Sequence, residues 1–119
     1  MTHADALAFA EEWVAAWNAH DLGRILSHYA DDFEMTSPYI ASLAGEPSGT
    51  LRGKEAVGAY WRSALGRFPD LRFELVHVLV GVDSVAICYE GVRGVRACEV
   101  LVFDAGGKVI KATAHYDNS

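Results

Sequence analysis

The hydrophobic period of this chain changes once, at Pro69-Asp70, and that change constrains the fold more than any other feature. Before it, apolar residues recur at helical spacing. Val57, Tyr60, Trp61, Ala64, Leu65 and Phe68 keep to one side of a helix that opens at Gly53. Ala6, Phe9, Ala10, Trp13, Val14 and Trp17 do the same nearer the start, with Glu11, Glu12 and Asn18 opposite. Thr2 and Asp5 form a capping pair ahead of that helix, and the helix stops near His20. Asp21 is placed to cap a short second helix with Leu22, Ile25, Leu26 and Tyr29 on its buried side. After Asp70 the spacing is that of β-formers, in four runs at 71–80, 85–90, 95–103 and 108–116. The turns between them are short, so the runs form an antiparallel meander. Helices first and strands afterwards predict an α+β fold, with helices packed on one face of a curved sheet.

The middle of the chain is read from its punctuation. Residues 30–32 predict a turn and 33–36 a strand, which Pro38 ends because it has no N–H to donate. Residues 39–50, with Gly45, Pro47 and Gly49, predict a loop. The 119 residues suffice for one domain, 1–119, and 51% hydrophobic residues predict a folded globule. A net charge of −6 argues against binding nucleic acid or an anionic membrane, both of which need clustered cations. The start of the chain has acidic residues where a signal peptide has basic ones, and no apolar run could span a bilayer. Cys88 and Cys98 are too few for a disulfide scaffold, so the expectation is a cytoplasmic protein with two buried thiols. No metal or phosphate motif is visible, so no metal and no cofactor are expected.

Five stretches carry a family resemblance: W-x-x-A-W-N-A-H-D-L, Y-A-D-D-F, the Ser37-Pro38 step, L-R-G-K-E-A-V and F-D-A-G-G-K-V-I. In these the chain resembles the nuclear transport factor 2-like superfamily, and within it the SnoaL-like and ketosteroid-isomerase-like branches. The resemblance implies a cone-shaped roll, with three N-terminal helices closing the concave face of a mostly antiparallel sheet over an apolar pocket. It also implies a homodimer.

Carried over by position, the isomerase's phenol donor falls on Trp13, its carboxylate base on Ser37 and its protonated acid on Glu99. A serine cannot take an α-proton at neutral pH without a base of its own, so the isomerase route is not expected here. The acid that epoxide-hydrolase relatives keep on the last strand falls on Ala114. Glu99 is left as the carboxylate for isomerase-, cyclase- or lyase-type chemistry, with Tyr116 or Ser37 holding a substrate oxygen. Alternation puts Ala97, Glu99, Leu101 and Phe103 on one face, and the resemblance makes that face the inner one. In a dry pocket such a carboxyl has its pKa raised and serves as acid or base. The structural alternative pairs Glu99 with Arg93 or Arg96, or leaves it at a wet mouth.

Trp13, Trp17, Met35, Tyr60, Trp61 and Phe73 are the expected wall, or else plain core. Tyr39, Tyr89 and Tyr116 are expected to offer hydroxyls, with Leu101 on the same face as Glu99. Ala112 and Ala114 leave room beside Tyr116. His77 is expected to pack with Leu75 and Leu79, and His115 to face outward. The expected partner is a small hydrophobic or aromatic molecule. An enzyme and a non-catalytic binding or interaction protein of the same fold both remain open.

Overall fold

A side chain that the sequence marks opens each of the first two helices. The computed structural model of the protein describes residues 1–117, so the end of the expected 1–119 domain lies outside the described residues. Helix α1 (His3–Asn18) starts at Thr2, whose hydroxyl accepts from the Asp5 N–H at 3.1 Å. The Asp5 carboxylate accepts from the Thr2 N–H in return, at 3.2 Å. Helix α2 (Leu22–Leu26) starts at Asp21, which accepts from the Arg24 N–H at 3.1 Å. Arg24 reaches back to Glu12 with two bonds, and His28 meets the same carboxylate at 3.0 Å. These bonds hold the Glu12 carboxyl down to about 2 and tie α2 to α1. The group is well exposed, so its contribution to stability is small.

The next segment differs from expectation in three places. Strand β1 runs Tyr29–Thr36, so Tyr29 belongs to a strand rather than to the short helix, and residues 30–32 are strand rather than turn. The register slips between Tyr29 and Glu34, and this irregularity lets Asp31 and Asp32 sit exposed inside a strand. Part of the expected loop is helix α3 (Pro38–Leu43). The proline that stops β1 is also the first residue of α3, where a missing N–H costs nothing. A short strand β2 (Thr50–Arg52) then precedes α4 (Lys54–Arg67), so the described residues hold four α-helices rather than three helices in all. Gly53 caps α4 at φ 90°, a backbone conformation that side chains rarely adopt.

Strands β3 (Glu74–Val80), β4 (Ser84–Glu90), β5 (Arg96–Phe103) and β6 (Val109–Tyr116) form the meander. The curved, unclosed sheet has the order β2-β1-β6-β5-β4-β3. Among the described residues the one parallel pairing joins β1 to β6, with Met35 opposite Ala112. The expected start of β3 at residue 71 is three residues early. The backbone of Leu71 and Phe73 is taken by the end of α1: the Leu71 carbonyl lies 2.8 Å from His20 Nε2, and Phe73 is held by Asn18. His77 is exposed, not packed, because a register shift between Leu75 and His77 separates their faces. Leu79, the other expected neighbour, is 61% exposed. His115 faces outward as expected.

The core lies between the helices and the inner face of the sheet, and its centre is aromatic. Trp13 stacks on Phe73 with ring centroids 5.6 Å apart, and Trp17 meets Trp61 edge-on at 5.1 Å.

Candidate active site

β5 alternates strictly, with Ala97, Glu99, Leu101 and Phe103 buried and the residues between them half-buried. The helices cover the first set, so alternation brings Glu99 into the interior, where it is 4% exposed. Its partner comes from β4: the Tyr89 hydroxyl donates to Glu99 Oε2 at 2.7 Å. Among the described residues neither Arg93 nor Arg96 stands within ion-pair distance of it. Burial pushes the carboxyl up to about 7, against the opposing pull of the Tyr89 hydrogen bond.

Phenols surround this acid. Tyr116 and Tyr89 are raised by burial first and by the Glu99 charge second. Tyr60 is raised by burial, with the Glu99 charge adding to it. The Ser37 hydroxyl counteracts the rise at Tyr60 and Tyr116. Ser37 is 1% exposed and caps α3, its Oγ accepting from the Tyr39 N–H at 3.3 Å. Tyr39 packs its ring 4.6 Å from that of Tyr116. Tyr60, Tyr89 and Tyr116 therefore stay neutral near pH 7, and Glu99 is the group in this cluster poised to titrate there.

A cavity of about 360 Å³ opens on this cluster. Glu99 and Tyr116 line it with Trp17, Met35, Tyr39, Tyr60, Trp61, Phe73 and Tyr89. Further along lie Phe68, Leu71, Val92 and Val95, which the sequence reading did not nominate. Trp13, Leu101 and Ala114 were expected in the wall but lie in the core, outside the lining. Ser37 also lies outside the lining and reaches the cluster through Tyr60 and Tyr116. Tyr29 was missed. Its hydroxyl accepts from Trp13 Nε1 at 2.9 Å, and burial first and the Glu99 charge second raise its pKa. Its place in Y-A-D-D-F was visible, but assigning it to the short helix hid its face. The buried Trp17 Nε1–H has no hydrogen-bond partner among the described residues, a donor left unused within the wall.

Asn18, expected on the polar side of α1, instead clamps the wall. Its Nδ2 donates to the Phe73 carbonyl at 3.0 Å and its Oδ1 accepts from the Phe73 N–H at 2.7 Å. Asn18→Ala leaves both backbone groups short of partners and is expected to cost about 2 kcal/mol, read as a lower denaturant midpoint at unchanged slope.

No group of three metal-ligating side chains gathers at one point among the described residues, and no helix there is long and apolar enough to cross a membrane. The family described as SnoaL-like domain matches residues 10–115. A SnoaL-like protein of unknown function from Burkholderia thailandensis E264 is 61% identical over 98% of both chains, with a TM-score of 0.95. A protein from Agrobacterium tumefaciens strain C58, provisionally named an isomerase of the SnoaL-like family, is 17% identical. The match covers 95% of this chain and 97% of that one, with a TM-score of 0.76. AclR from Streptomyces galilaeus, provisionally named a hydroxylase, is 23% identical over 98% and 91% of the chains, also at 0.76. At such identities these last two share the fold. None of the curated proteins matches this chain.

Proposed function

We propose, on the premise that this chain belongs to the SnoaL-like domain family, that it binds a small, largely aromatic molecule and acts on it with Glu99 as acid or base. One observation carries the reading: a buried carboxyl with no arginine partner faces a cavity otherwise lined mostly by apolar and aromatic side chains. With a pKa of about 7 the group exists in both protonation states near neutral pH. The carboxylate would take a proton beside a substrate carbonyl and return it elsewhere, as an isomerase, cyclase or lyase requires. Tyr116 and Tyr60, both neutral, would donate to the oxygen on which charge develops. Tyr89 would keep Glu99 aimed.

Native mass spectrometry of the freshly purified protein, searching for a retained molecule of a size to fit about 360 Å³, identifies the ligand. With that molecule or a relative as substrate, Glu99→Gln is expected to lower kcat at least about 100-fold, the usual contribution of a general acid or base. Wild-type turnover by the variant would sink the catalytic reading. A retained ligand that neither protein transforms would favour a protein that only holds its ligand.

A further inference from the structure

Cys88 and Cys98 stand opposite each other on β4 and β5, with their sulfurs 3.2 Å apart. The kind of pairing follows from the ladder. Phe103 N–H donates to the Asp83 carbonyl at 2.8 Å and Gly91 N–H to the Val95 carbonyl at 2.9 Å, so 83 with 103 and 91 with 95 are bonded pairs of this register. Bonded and non-bonded pairs alternate, which makes Cys88 and Cys98 a non-bonded pair. In such pairs the Cα atoms lie about 4.5 Å apart and the side chains are closest, within the range that a disulfide spans. Both thiols are on the outer face of the sheet and half-buried, away from the cavity. His77 lies opposite Cys88 and His115 opposite Cys98, so four strands present His, Cys, Cys and His abreast. The four do not converge as a metal site requires, and His115 Nδ1 is 3.2 Å from the Cys98 carbonyl oxygen. The close pair that exists is the two sulfurs.

We propose that Cys88 and Cys98 form a reversible dithiol–disulfide site, oxidised by a small-molecule disulfide. One cysteine of the pair, as thiolate, attacks one sulfur of the disulfide RSSR and releases the first thiol RSH once a proton is taken up. The other, losing its proton, then attacks the sulfur of the first and expels the second RSH. Two protein thiols are oxidised, one external disulfide is reduced to two thiols, and atoms and electrons balance.

The test uses the whole protein, oxidised glutathione and intact-mass measurement after denaturing alkylation. Two cysteines are present in the sequence, so the count is unambiguous. The expected product is a monomeric chain that has lost two hydrogens and takes up no alkylating agent, and dithiothreitol restores two alkylation sites. Two alkylated thiols after oxidation, a glutathione that stays on the wild-type chain, or a disulfide between chains would each overturn the proposal. Cys88→Ser and Cys98→Ser each lack the second thiol, so at least one of them is expected to stop with glutathione held on its remaining cysteine, and two variants that both stay unmodified would overturn the exchange route.

Discussion

Glu99→Gln is expected to stabilise the protein at about pH 9 relative to its effect at about pH 4, by about 3 kcal/mol. The sign follows from the folded-state carboxyl lying at about 7 against an ordinary value of 4.5. The folded protein therefore holds this proton more tightly than the unfolded chain does. Below the ordinary value both states are protonated and Glu99 costs nothing. Between the two values the unfolded chain releases the proton first and gains stability. Above about 7 the whole penalty is present. Glutamine carries no charge, so the variant lacks this term at every pH. Whatever its amide costs beside Tyr89 is the same at both ends of the titration and cancels in the comparison. Glu12 titrates in a lower window, at about 2, and is common to both proteins. In thermal melts the difference between variant and wild type should widen by about 10 °C from acid to alkaline pH. A difference independent of pH would mean that Glu99 is not buried as a lone acid, and the catalytic reading would lose its foundation without any substrate being known.

The second large effect is at Trp13. Trp13→Ala is expected to cost about 4 kcal/mol in chemical denaturation. Trp13 is wholly buried, with Phe73, Tyr89 and Trp17 packed around its ring. Truncation opens a void among rings that cannot all close on it, and it strips the Tyr29 hydroxyl of its donor. Trp13→Phe separates the two contributions, since it keeps an aromatic ring and loses the Nε1–H. It is expected to cost about 1–2 kcal/mol. An alanine variant as stable as the wild type would mean that this side chain is not the centre of the core.

These two residues illustrate what could be read without coordinates. The caps at Thr2 and Asp21 were legible because a cap is made by neighbours in sequence. The alternation of β5 was legible too, but it offers two faces and does not choose between them. Helices lying on one side make that choice. Asp31-Asp32 has turn composition and becomes strand at an irregularity between Tyr29 and Glu34, both of which pair with β6 near the other end of the chain. Residues 71–73 have strand composition and lose it because Asn18 and His20 occupy the backbone of Phe73 and Leu71. Trp13 was expected at the pocket because a relative keeps a phenol there. Phe73 and Tyr89 carry the wall in its place, with Trp13 packed against both.

The parallel pairing of β1 with β6 bears on how the chain is made. A ribosome delivers β1 well before β6, and until β6 emerges β1 and β2 lack the neighbour that joins them to the rest of the sheet. The later hairpins can assemble from contacts between near neighbours. The β1–β6 seam must wait until β6 has been made, and the contact of Met35 with Ala112 waits with it. A nascent chain stalled before Val109 would hold β1 and β2 as a pair without the parallel neighbour that joins them to the meander.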